Sequence, residues 1–320
     1  MDWLGDGVNA PLVIVRAVHF AATATTAGTL IFRAVVAERA SRSAPAAIAV
    51  VRSQILRVAW ISLAIAALSG AVWILLQAAA MSGLSLEEAI AGDALSVVVN
   101  QTQFGLVSEI RLVLAIILAG CLMVDRLAPL RWSGLASALG LIAAIAWTGH
   151  AGSGVGELGI LQLAADVLHL IAAAAWLGGL VSLALLLAAA CRHDALAWAF
   201  VARAATERFS TLGIVSVGTI LATGIVNSGI LVGSLHALMV TEYGRLLVLK
   251  TGLFAIMVLI AAVNRFWLTP RLALRSAGAP PRRVLRRLAR NSIIEIALGL
   301  AIFAVVGALG TMHPAIHFAG

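Results

Sequence analysis

The sequence predicts an all-α integral membrane protein whose eight transmembrane helices form two parallel four-helix repeats. Three observations predict it. The 320 residues are 62% hydrophobic and 11% charged, with a mean hydropathy of +1.05; a water-soluble core cannot hide that much apolar surface, so lipid must be the solvent. Apolar runs able to cross the hydrocarbon, which takes roughly 20 residues as helix, recur along the whole chain. The third observation is internal similarity at an offset of 150 residues: His19 to Leu30 reads HFAATATTAGTL and His169 to Leu180 reads HLIAAAAWLGGL. A histidine, an Ala-rich turn, a glycine nine residues on and a leucine eleven on recur in both.

Other pairs extend the match. Thr102-Gln103-Phe104-Gly105 answers Thr241-Glu242-Tyr243-Gly244, and six residues after each glycine stands a cation, Arg111 and Lys250. Asp125-Arg126 answers Asn264-Arg265, and Thr148-Gly149-His150 and Thr311-Met312-His313 close corresponding runs. The repeats are therefore placed at 1–149 and 150–320, each with one histidine in its first helix and one at the end of its fourth.

Taken in order, the first run, Val8 to Ala37, carries His19 and its Ala-rich turn, and the second is Ile55 to Ala80. The third, Leu106 to Val124, opens after TQFG, and the fourth, Trp132 to Thr148, closes at TGH. The fifth, Leu158 to Ala190, repeats the first, and the sixth is Phe209 to Val232. The seventh, Leu246 to Leu268, opens after TEYG, and the eighth, Ile293 to Gly310, closes at TMH. Runs longer than 25 residues imply tilt or extension beyond the bilayer.

Positive charge sets the orientation. The first, third, fifth and seventh connections hold 18 of the 22 Lys and Arg residues, so these loops are expected to face the cytoplasm. Asp2, Asp6, Glu87, Glu88, Asp93, Glu157 and Glu242 fall on the opposite side, with both termini periplasmic. The high pI then reports topology and contact with anionic lipid, with no call for nucleic acid. The arginines from Arg282 to Arg290 read as a lipid-facing or solvated stretch. The first run lacks a basic leader and is too long for a signal peptide core. The sizeable extramembrane segments are Met81 to Gln103 and Arg271 to Arg290, neither large enough for a soluble domain.

Cys121 and Cys191 fall near the cytoplasmic ends of their helices, where a structural disulfide is not expected; they read as small hydrophobes. Histidine is more informative. Six of the seven lie in the outer half or outside, and only His193 is cytoplasmic. His19 and His169 stand roughly 16 Å into their helices at 1.5 Å per residue, while His150 and His313 sit at outer ends. Polar groups in lipid are costly and face the bundle interior, so His19, His150, His169 and His313 are the candidate metal ligands. Met312 and His317 would capture the ion at the outer mouth. Imidazole suits Cu, Zn, Fe and Ni, and thioether sulfur suits Cu(I), so the mixture favours copper.

Arg16 and Asp166 each precede a candidate histidine by three residues and share its helical face. Repeat symmetry suggests that they meet as an ion pair, with Asp166 orienting an imidazole from behind the ligand; the alternative is that both snorkel to the outer interface. Most hydroxyl residues in the runs suit helix packing in lipid, as do Gly178 and Gly179. Thr223, Gly224 and Asn227 descend one helix face and are the candidates for a polar pathway. There is no phosphate-binding loop or nucleophile constellation, so no enzymatic activity is expected.

These residues carry a resemblance. RFSTLGIVSVGTILATGIVNSG, TEYGRLLVLKTGLF and AAVNRFWLTPRL, with HLIAAAAWLGGL and TGH, resemble the CopD/PcoD copper-resistance family of bacterial inner-membrane proteins, most specifically from Asp166 to His313. The resemblance implies an eight-helix protein that handles copper between periplasm and cytoplasm, taking it up in concert with a periplasmic CopC-like copper-binding partner. The expectation is a copper-transporting or copper-binding membrane protein. The alternative is a membrane haem b protein that passes electrons to or from copper or quinone, with His19 and His169 as axial ligands.

Overall fold

Backbone in lipid has no water to bond, so each apolar run closes its own hydrogen bonds as helix. The computed structural model describes residues 10–40, 45–149, 156–193, 196–273 and 282–312. Among these there is no strand, and eight helices are long and apolar enough to cross a membrane. They are α1 (Ala10–Ala40), α2 (Ala47–Ser82), α3 (Gln103–Met123), α4 (Ala128–Thr148), α5 (Gly156–Arg192), α6 (Ala197–Val232), α7 (Glu242–Leu272) and α8 (Arg282–Leu309).

The sequence places every span but starts three of them late. α2, α6 and α8 begin about two to three turns before their apolar runs, within the stretches that hold Arg52, Arg203 and Arg208, and Arg282 to Arg290. Arg, Leu and Ala are strong helix formers, so the helix continues after hydropathy has fallen. The segment from Met81 to Gln103, expected to be extramembrane, folds as two short helices, Leu86–Ala91 and Ala94–Gln101. The first is opened by a capping box, in which Ser85 and Glu88 bond each other's backbone amides. That bonding holds the Glu88 carboxyl below the usual carboxylate range.

The two histidine-bearing helices, α1 and α5, are the most buried spans. α1 packs against α2, α4, α5 and α8; α5 packs against α6 and α8 and touches α4. Side chains such as Leu68, Ile116, Val215, Ile225 and Leu259 are more than half exposed, as a lipid-facing surface requires. α1 and α5 cross at their corresponding glycines. A Cβ on Gly28 would lie 2.6 Å from Gly178 Cα, and one on Gly178 would run into the Ala24 carbonyl. Only glycine allows this approach. Ser182 Oγ then donates to Thr29 Oγ1 across the crossing at 3.2 Å.

At one end of the bundle, the basic end, charged side chains pair. Asp125, 5% exposed, accepts from Arg33 and from Arg52 Nε at 2.8 Å, and Glu38 takes Arg33 Nε at 3.2 Å and Arg131 at 2.9 Å. This network ties α1, α2 and the α3–α4 connection together. Both cysteines, Cys121 and Cys191, are free thiols.

Candidate functional site

Each half builds a histidine cluster by the same local steps, and the two clusters end differently. In the first half Thr102 caps α3, its hydroxyl accepting from Gly105 N at 3.1 Å and donating to Val98 O at 2.6 Å. Gly105 lets the helix start hard against the preceding one, since a Cβ there would strike Val98 and Val99 carbonyls. This cap sets the register of Arg111 on α3. The Arg111 guanidinium donates to His19 Nε2. His19 Nδ1 lies 3.1 Å from Ser69 Oγ on α2. Because Arg111 has only protons to offer, Nε2 is the acceptor and the neutral ring carries its proton on Nδ1. Ser69 Oγ donates its own hydrogen bond to the Ile65 carbonyl at 2.6 Å. Trp73 packs on the imidazole at 5.3 Å, and Gly70 leaves room for the ring edge. His19 is 4% exposed with both nitrogens engaged.

In the second half Thr241 caps α7 in the same way, accepting from Gly244 N at 3.0 Å and donating to Ala237 O at 2.6 Å. This sets the register of Lys250. His169 Nδ1 lies 3.0 Å from Thr223 Oγ1, whose proton goes to Thr219 O at 2.7 Å, so Nδ1 again holds the ring proton. Here the cation does not seal the ring. His169 Nε2 has no protein partner among the described residues, and His169 lines a cavity of about 520 Å³ together with Asp166, Asn227, Tyr243 and Lys250. Lys250 acts electrostatically on both Asp166 and His169. The cavity lies away from the basic end, reaching Gly149 at the α4 terminus, Leu231 of α6 and Tyr243 of α7. Of the polar-pathway candidates, Thr223 bonds the imidazole, and Gly224 and Asn227 line the cavity.

The other candidates distribute as follows. His150, His313 and His317 lie outside the described residues. Met312 is half-buried against the cluster of Val232, Ala237, Tyr243 and Leu309, of which Tyr243 and Leu309 also line the cavity. Arg16 and Asp166 line the same cavity, but no ion pair joins them among the described residues. Arg16 is instead held over the Trp73 and Phe20 rings at 5.1 and 5.6 Å. Gly310 makes space for its guanidinium, which a Cβ would strike. Asp166 accepts from Asn227 Nδ2 at 3.4 Å and has Lys250 as its nearby countercharge, which removes the need for Arg16. Among the described residues no three His, Cys, Asp or Glu side chains gather as a ready metal site. Haem ligation by His19 and His169 would require a free Nε2 on both rings; with His19 sealed, the haem reading finds no support.

One polar site escapes the sequence reading. Glu295 of α8 is 1% exposed and accepts from Asn264 Nδ2 at 2.8 Å, while Asn264 Oδ1 accepts from Asn291 at 2.7 Å. Glu295 lines a second cavity, about 380 Å³, with Ser210, Asn264, Arg265 and Ser292. An ionisable residue inside an apolar run, as in SIIEIALGL, is the signal that finds it. The correspondence of Arg111 to Lys250 is legible in sequence, but their contacts with the histidines are not.

Two family descriptions match the chain: Copper resistance protein D-like, N-terminal domain, over residues 6–160, and Copper resistance protein D over residues 203–309. The inner membrane protein YebZ of Escherichia coli is 33% identical over 220 residues, covering 68% of this chain and 71% of YebZ. The chain belongs to the copper resistance protein D family. The family member from Pseudomonas syringae, Copper resistance protein D itself, is 29% identical over 68% of this chain and 70% of its own length. Copper transport protein CutJ of Bacillus subtilis is 34% identical over 55% of this chain but only 29% of its own length. No solved structure matches the chain. A copper-related membrane function therefore follows for this copper resistance protein D relative, and the eight spans fit a multi-pass inner-membrane protein.

Proposed function

We propose that this protein carries copper ions from the periplasm to the cytoplasm, and that the cavity around His169 is where the ion enters. The observation that carries this reading is the difference between two histidines in corresponding positions: His19 has both nitrogens engaged, while His169, bonded through Nδ1 alone among the described residues, lines an open cavity. A neutral imidazole held by a hydroxyl on its far nitrogen is a suitable copper ligand. Met312, against the cavity wall, is the candidate thioether at the mouth, with His150, His313 and His317 as further candidates. Asp166 partly offsets the charge of an arriving cation and Lys250 opposes it, so the site favours transient occupancy over storage.

The basic end is assigned to the cytoplasm by its arginines, which makes the His169 cavity and both termini periplasmic. The halves are two parallel copies of one four-helix unit, 1–149 and 150–320, of which the first serves as scaffold. The copper is received from a separate CopC-like periplasmic protein, and no enzymatic step is involved. Two relatives named for copper resistance and copper transport support this reading.

The test is copper uptake into liposomes holding the purified protein. The wild type accumulates copper above empty liposomes, and His169→Ala returns uptake to the empty-liposome level. Wild-type liposomes that accumulate no copper, or a His169→Ala variant as active as wild type, would overturn the reading.

A further inference from the structure

The His169 and Glu295 cavities share helices α5 to α8, at opposite ends, and the His169 cavity is lined by α1 and α4 as well. The His169 cavity reaches Tyr243 at the start of α7 and Leu309 at the end of α8. The Glu295 cavity reaches Thr269 near the end of α7 and Leu288 near the start of α8, with Thr206 and Phe209 early in α6. Between them they span α7 nearly from end to end. Among the described residues one side chain belongs to both linings, Trp176.

Trp176 is suited to being a partition. It is 2% exposed and stands edge-on to Phe254 of α7, with ring centroids 5.8 Å apart. It lies in a π-helical turn, Ala174–Gly178, inside α5. Such turns loosen the helical ladder locally and recur at functional sites. Below it, the Glu295 carboxyl gives the inner cavity a buried oxygen ligand that becomes a counter-charge on ionising beside a cation that has left water, whose transfer without one is expensive.

We propose that Trp176 is the barrier between two half-paths for a cation, one ending at His169 and one at the Glu295 carboxyl. This rests on the reading of the protein as a copper carrier, and it adds where the carrier is closed and where the ion is received on the inner side. Passage requires the Trp176 indole to swing away from Phe254.

The test uses thiol accessibility and no copper, so it fails or succeeds separately from the uptake reading. Cys121 and Cys191 are first replaced by alanine. Ser292→Cys then reports on the inner cavity and Ser228→Cys on the His169 cavity, with an impermeant cationic methanethiosulfonate applied to either face of the membrane. With Trp176 present, Ser292→Cys reacts only from the basic end and Ser228→Cys only from the opposite end. Adding Trp176→Ala makes Ser292→Cys react from both ends, at least tenfold faster than before from the His169 side, and Trp176→Phe, which keeps a ring, does not. Reaction of Ser292→Cys from the His169 side with Trp176 intact would overturn the proposal. So would its silence from that side in Trp176→Ala protein whose Ser228→Cys still reacts.

Discussion

The two halves of this chain start from nearly the same parts and put them to different use. Both place a histidine on a central helix, bond its Nδ1 to a hydroxyl that is followed by glycine, and bring a cation from a helix capped by threonine. In the first half the cation is Arg111, whose planar fork reaches the ring and occupies Nε2. In the second it is Lys250, a point charge that acts across a cavity also lined by Asp166 and Asn227. Arginine closes the first site and lysine leaves the second open. The lesson is that a histidine's worth as a ligand is set by what holds its second nitrogen.

The largest expected effect is at the seam between the halves. Gly178→Val drives a side chain into the Ala24 carbonyl and should lower stability by about 3 kcal/mol, seen as a fall in the midpoint of thermal unfolding in detergent. An unchanged midpoint would mean that α1 and α5 do not cross there. Next, Arg111→Leu leaves His19 Nε2 buried and unpaired, costing about 1–3 kcal/mol, while copper uptake by the protein that folds should stay near wild type. Loss of uptake at full stability would make the first half part of the path.

A change in the second half should act the other way, on affinity and not on folding. Lys250→Met removes the positive charge that opposes a cation at His169 and should tighten copper binding about tenfold, or ~1.4 kcal/mol, as measured by competition with a chelator of known affinity. Weaker binding would mean that Lys250 holds Asp166 in a position the ion needs. The smallest effect is expected from Ser69→Ala, which removes one hydrogen bond to His19 worth about 1 kcal/mol; a double-mutant cycle with Arg111→Leu should be non-additive because both partners share one ring.

Much of this was legible in the sequence. Hydropathy finds all eight spans because lipid imposes an apolar run of minimum length. It misplaces the starts of α2, α6 and α8 because arginine-rich turns outside the hydrocarbon are still good helix. The match of His19 to His169 and of Arg111 to Lys250 is on the page of the sequence, as is the close approach at Gly178. The difference in how each cation meets its ring is not, since it depends on the tertiary distance between α1 and α3 and between α5 and α7. The expected pairing of Arg16 with Asp166 fails for a similar reason: the Trp73 and Phe20 rings and Lys250 offer each charge a partner within its own half. Glu295 is passed over because attention to histidine leaves a lone carboxylate in an apolar run unread.

The most direct measurement is copper binding and copper K-edge X-ray absorption on wild type, His19→Ala and His169→Ala in parallel. The account predicts that the imidazole scattering and at least tenfold of the affinity are lost in His169→Ala and kept in His19→Ala, which loses stability instead. Equal losses in both variants, or a loss confined to His19→Ala, would contradict it.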